Sequence, residues 1–258
     1  MTSLLIAIII IAIATYFLIG YKKVKTPSDI KLAAAYQELL QTEVEFYQNL
    51  PAEDRSRFER MIADFLNYVR IEGVGTVITD LDKVLIACSA VIPIFGFPGW
   101  KYRNLTNVIL YPDTFDKDYQ FEGGNRNIMG MVGSGYMNGQ MLLSRAALVS
   151  GFSKSSGREN TAVHEFVHLL DKSDGATDGV PENLLAHEYT VPWLKLMHQE
   201  MQRIASGNSD INPYALTNEA EFFAVVSEYF FEKPDKLQQK HPELYNLLSK
   251  IFEQDPAA

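Results

Sequence analysis

Cysteine is nearly absent. Cys88 is the single one in 258 residues, so no disulfide can form within the chain. A reducing compartment is therefore allowed, and Cys88, in the apolar stretch LIACSAV with no helper group nearby in sequence, reads as a small core residue. Cations are also short: 23 Lys and Arg against 32 Asp and Glu leave a net charge of −9. That balance argues against a nucleic-acid partner, because phosphate binding needs clustered Lys and Arg. Internal repeats and low-complexity tracts are missing, and histidine occurs only five times. What the chain has in quantity is apolar: 47% hydrophobic and 12% aromatic residues can bury a sizeable core. The length suits one generous domain or two small ones.

Charge is absent altogether from Leu4 to Tyr21, LLIAIIIIAIATYFLIGY. As a helix this run spans roughly 27 Å, close to the thickness of a hydrocarbon core. No Lys or Arg precedes it and KKVK follows, so the positive-inside rule puts the N-terminus outside and the rest in the cytoplasm. The expectation is a transmembrane anchor with its basic flank over residues 1–24 and one folded domain over 25–258, held at the inner membrane and facing the cytoplasm. The rival is a cleaved signal peptide: AIA at 12–14 resembles a cleavage site, although a basic leader is lacking.

Beyond the anchor, residues 28–50 and 51–69 carry apolar groups at helical spacing, with Pro51 and acidic residues opening the second segment. Short β-branched runs predict strands at VGTVITD (74–80), NVILYP (107–112) and QMLLSR (140–145). KVLIACSAVIPIF reads as a buried helix ending near Pro93, and the six glycines within 121–139 as a flexible loop or hairpin that helps form a specificity pocket. Helical patterns return over 181–205, 218–231 and 241–252. Helices dominate and a few strands sit in the middle, which is the pattern of an α+β fold, mainly helical with a small sheet.

One stretch carries chemistry. NTAVHEFVHLLDKSDGATDG, residues 160–179, contains HExxH. On a helix, His164 and His168 are turned by about 400° and so project the same way, one turn apart, where two imidazoles can hold one metal ion. Glu165 lies about 100° round, placed for a water on that metal, where a general base belongs. The flanking Val163, Phe166, Val167, Leu169 and Leu170 bury the segment, and buried histidines and a carboxylate need a metal or other partners. Asp171 lies on the same face as the histidines, either as an acceptor for an imidazole N–H or as a solvated residue near the helix end. A catalytic zinc site needs a third protein ligand. No histidine follows in the HExxHxxGxxH spacing, and His187 and His198 read as ordinary helix residues. The apolar helix after Asn218 offers Glu219, Glu221 and Glu228; spacing alone does not choose among them, and Asn218 with Glu221 also fits a capping box.

HEFVHLLDKSDGATDGVP together with NPYALTNEAEFFAVVSEYFFEKP resembles the Mlc titration factor A family of zinc peptidases, and more loosely the catalytic domain of anthrax lethal factor. The resemblance spans about residues 45–255, including LPAEDRSRFERMIADFL, NVILYPDTF and LLSR, and leaves out the hydrophobic N-terminus. It implies a zincin-like metallopeptidase domain binding one Zn²⁺ per chain through His164, His168 and Glu221. Glu165 is then the general base, and Tyr214, seven residues before Glu221, the hydrogen-bond donor to the oxyanion. The implied substrate is a peptide or protein. QMLLSR is either the edge strand on which it lies or a plain core strand. Because the family is named for binding a transcriptional repressor of sugar uptake, a cytoplasmic transcriptional regulator is a further implied partner, and sequestration of it an alternative role.

Overall fold

Val44 breaks the first helical segment. The computed structural model describes residues 32–124, 126–133, 135–153, 157 and 159–258, and in it α1 (Ala34–Glu43) and α2 (Glu45–Asn49) replace the continuous helix expected through residue 50. Val44 takes an extended backbone and buries its β-branched side chain completely, so Leu40 and Tyr47 both reach the core from helices of different direction. Pro51 then opens α3 (Ala52–Tyr68), with Glu53 and Asp54 in its first turn.

The first strand comes earlier than its β-branched run suggested. β1 is Arg70–Gly73, and residues 74–79 are a connection in which Val77 is 83% exposed. Val74 N–H still reaches the Leu110 carbonyl, and beyond it a side chain takes over: Arg145 donates to the Thr76 hydroxyl and the Val77 carbonyl. The same guanidinium pairs with Asp82, which completes a capping box with Thr79 at the start of α4 (Asp80–Ile94). As expected, α4 is buried along nearly its whole length, Cys88 included, with Pro93 in its last turn.

Three further strands are β2 (Asn107–Tyr111), β3 (Gly130–Val132) and β4 (Gln140–Ser144). The sheet order is β1-β2-β4-β3; β1, β2 and β4 run parallel, and β3 lies antiparallel on β4. The QMLLSR strand, β4, is therefore paired on both sides and offers no edge. The edge is β3, inside the glycine-rich segment expected to be a loop or hairpin. Hydrogen bonds from Ser144 N–H to the Met129 carbonyl and from Gly133 N–H to the Gln140 carbonyl put the odd-numbered residues on the β4 side. By the antiparallel alternation, Gly130 and Val132 direct their backbone groups to the open edge.

Helices α5 (Arg145–Gly151), α6 (Thr161–Asp171), α7 (His187–Ala205), α8 (Glu219–Glu232), α9 (Pro234–Lys240) and α10 (Pro242–Phe252) complete the described part. α7 starts at His187 rather than Pro181, because residues 181–185 form a turn that buries Leu184 and Leu185. The main core lies between the helices and one face of the sheet. There Phe166 of α6 meets Phe65 and Tyr102, and Trp193, Phe223, Phe230 and Phe252 interlock around α8. A smaller cluster of Tyr111, Phe115 and Leu142 forms a second apolar layer. The class is α+β, mainly helical with a small sheet. Among the described residues no helix is long and apolar enough to cross a membrane; the anchor expected over residues 1–24 lies outside them.

Candidate metal centre

Asn160 starts the helix that carries HExxH. Its side chain accepts a hydrogen bond from Val163 N–H at 3.2 Å, capping α6. Ala162, Val163, Phe166, Val167 and Leu170 are fully buried and fix the helix's rotation. That rotation stacks His164 and His168 one turn apart, with ring centroids 4.7 Å apart and their Nε2 atoms 3.0 Å apart. Glu165, the residue after His164, is buried and faces β3, its Cγ and Oε1 lying against Gly130.

The third group comes from α8. Asn218 caps α8 by accepting from Glu221 N–H at 2.9 Å, the half of a capping box that the sequence suggested. The Glu221 carboxylate does not return the bond. It turns to the histidines instead, its Oε2 lying 2.9 Å from His164 Nε2 and 3.5 Å from His168 Nε2. Glu219 points away, largely exposed and 3.9 Å from His198. Glu228, two turns after Glu221, is buried and plays a different part: it accepts from His164 Nδ1 at 2.7 Å and from Asn160 N–H at 2.6 Å. Asn160 in turn donates to Glu232 at 2.9 Å. Glu228 thus fixes the ring of His164 and the start of α6 together.

His164, His168 and Glu221 have ligand atoms all within 4.8 Å of one another. The measured separations of 2.9, 3.0 and 3.5 Å bracket the roughly 3.3 Å between donors on a tetrahedral ion with bonds of about 2.0–2.1 Å. The chemistry fits as well. A carboxylate only accepts, so His164 donates through Nδ1 to Glu228 and presents Nε2 to the shared centre. Burial alone would lower the pKa of His164, but Glu221 and Glu228 outweigh it and hold the ring well above its ordinary value. The imidazoles hold Glu221 well below the carboxylate range. The site is built to surround positive charge. Burial raises the pKa of Glu165, partly offset by the two imidazoles.

Tyr214 sits on a short turn, Pro213–Leu216, whose start is capped by Asn212. Its ring centroid is 6.2 Å from that of His164, and more than half of the residue is exposed. Asp171 fits neither sequence reading: it is fully buried and accepts from Gly179 N–H at 3.0 Å, while its other oxygen and His168 Nδ1 are buried without partners. Gly179, with positive φ, lies so close to the Glu219 carbonyl that a Cβ would sit 2.3 Å from it. Asp171 and Gly179 therefore tie the end of α6 to the start of α8. Sequence reasoning missed the roles of Asn160 and Gly130. A Cβ on Gly130 would lie 2.7 Å from Glu165 Cγ, so β3 packs directly on the base. His187 and His198 lie exposed and outside the cluster, as expected.

A model of the family described as "Glucose-regulated metallo-peptidase M90" matches residues 21–253, reaching closer to the N-terminus than the 45–255 of the sequence resemblance. An uncharacterised protein of Synechocystis sp. is 31% identical over 234 residues, covering 86% of this chain and 84% of its own. Mlc titration factor A of Pectobacterium atrosepticum and that of Yersinia enterocolitica are each 28% identical over 222 residues, covering 81% of this chain and 82% of their own. The family match runs over most of its length, and the chain belongs to the glucose-regulated metallo-peptidase M90 family.

Proposed function

We propose that this chain is a zinc-dependent peptidase in which His164, His168 and Glu221 hold the ion, Glu165 is the general base and Tyr214 steadies the oxyanion. The observation that carries this reading is the convergence of three ligand atoms from two helices at 2.9–3.5 Å beside a buried carboxylate. When bound, zinc supplies Lewis-acid polarisation of the scissile carbonyl and a water of pKa near about 7. Glu165 accepts the proton of the attacking water and passes it to the leaving nitrogen as the C–N bond breaks. Its raised pKa suits a group that must take a proton and give it back. The Tyr214 hydroxyl donates a hydrogen bond to the oxygen on which negative charge develops. The substrate backbone pairs with the open edge of β3, where Gly130 and Val132 present their backbone groups. Glu165→Gln with full zinc occupancy must lose cleavage of a peptide mixture; undiminished cleavage would refute the assignment.

The hydrophobic run Leu4–Tyr21, all but its last residue ahead of the family match, supports an anchor that places this peptidase at the inner membrane, facing the cytoplasm. A second reading rests on the relatives' printed name, Mlc titration factor A. The chain then binds and sequesters a cytoplasmic transcriptional regulator, and Glu165→Gln still retains that partner in a pull-down while wild type cleaves nothing.

A further inference from the structure

A cavity of about 810 Å³ lies beside the C-terminal end of α6. None of His164, Glu165, His168, Tyr214 or Glu221 lines it, yet it begins next to them. Leu169, one residue past the second histidine, and Val132 both face it. Val132 is two residues from Gly130, and strand alternation puts both on the face of β3 that meets Glu165. A peptide paired with β3 and cleaved beside Glu165 therefore brings a side chain about two residues from the scissile bond to this cavity, roughly 7 Å along.

The lining is an apolar wall with a cationic rim. Phe97 and Trp100, with ring centroids 6.4 Å apart, form part of the wall. Arg103 and Lys172 stand on the rim, and neither side chain makes an ion pair or hydrogen bond with another described residue. Lys101 is also there but is occupied by Asp64 at 2.7 Å. Among the described residues the only acid on the lining is Glu253. Two free cations against one carboxylate, in a chain of net charge −9, mark the rim as an anion site in an otherwise acidic molecule.

We propose that this cavity is a specificity subsite for a substrate carboxylate, held by Arg103 and Lys172 about two residues from the bond that is cut. The inference rests on the peptidase reading above. The carboxylate is supplied either by an Asp or Glu side chain or by the free C-terminus of a short peptide; both offer the planar acceptor that Arg binds in bidentate fashion. A charge-assisted hydrogen bond, discounted for the exposure of both cations, favours the acid by about tenfold in kcat/KM.

The test uses the zinc-loaded full chain and matched peptides carrying Glu, Gln or Lys at each position flanking the scissile bond, each with a free or an amidated C-terminus. The expected result is a preference for Glu over Gln of about tenfold at one position two residues from the cut, or for the free acid over the amide when the chain ends there. The first outcome assigns a side chain and the second a terminus. In Arg103→Glu/Lys172→Glu the ratio must collapse or invert towards Lys; the single changes Arg103→Gln and Lys172→Gln must each lower it. Equal cleavage of all members by wild type, or a ratio unchanged in the double variant, overturns the subsite while leaving the peptidase reading intact. A zinc-loaded wild type that cleaves no member takes both down.

Discussion

Glu228 shows what a single buried residue contributes here. Its carboxylate holds His164 through Nδ1 and the backbone of Asn160 at once. Such partners orient a metal-ligating ring and raise its basicity, and losing one typically costs about 10–100-fold in metal affinity. Glu228→Gln, which keeps the shape, is expected to weaken zinc binding by that factor in a competition titration against a chelator. Glu221→Ala is expected to abolish stoichiometric zinc, and Glu219→Ala to leave it unchanged, since Glu219 points to His198. At this scale the sequence was legible wherever chemistry is local. HExxH needs only five consecutive residues and a helix. The choice among Glu219, Glu221 and Glu228 was not legible from spacing, because it depends on how α8 is rotated against α6 across more than fifty residues of chain. The resemblance to a family chose Glu221, and the packing agrees.

Between elements, two contacts govern how the site is assembled. The first is β3 on α6. Gly130 leaves no room for a methyl group, which would lie 2.7 Å from Glu165 Cγ and 2.9 Å from Thr161 Cγ2. Gly130→Ala is expected to displace the base and lower peptide turnover about 100-fold with zinc content unchanged, the scale of a 1 Å misplacement. The second is the buried cluster behind Tyr214. His241 bridges Glu200 of α7 and Asp210 at 3.0 Å each, and Asp210 precedes by three residues the turn that carries Tyr214. Burial lowers the pKa of His241, but the two carboxylates raise it further, so it stands above its ordinary value when folded. Its contribution is therefore complete below an unfolded pKa of about 6.5 and is lost as pH rises through the folded value. His241→Phe is expected to cost about 3 kcal/mol near pH 6 in urea unfolding, and less at pH 9. Neither contact was visible in the sequence. The glycine-rich segment read as a loop or hairpin because its strand is only three residues long, and β4 as either an edge or a core strand because pairing partners cannot be read from one strand alone.

For the whole molecule, the sequence divides the chain into a charge-free run near its N-terminus and a folded part of mixed composition. The core of the described residues closes within 32–258, and the family match covers residues 21–253, sharing only Tyr21 with the hydrophobic run. The helices that bury one apolar face, such as α3 and α10, were legible from periodicity, and α4 and α8, buried nearly all round, from their apolar runs. The order of the sheet was not, since it is set by contacts between strands whose paired residues lie 37 apart, as Arg70 and Asn107 do, and 33 apart, as Asn107 and Gln140 do. Leu4–Tyr21 has no charge to oppose insertion, and each buried leucine, isoleucine or phenylalanine favours it by about 0.3–0.6 kcal/mol at the centre of the bilayer. The full chain is therefore expected to sediment with membranes and to stay there in alkaline carbonate, while residues 25–258 alone remain in the supernatant and still bind zinc. An intact N-terminal mass excludes the rival signal peptide. A full-length chain with residues 1–24 uncleaved that nonetheless remains in the supernatant would remove the anchor and leave the metal centre untouched, because nothing in the geometry of His164, His168 and Glu221 depends on it.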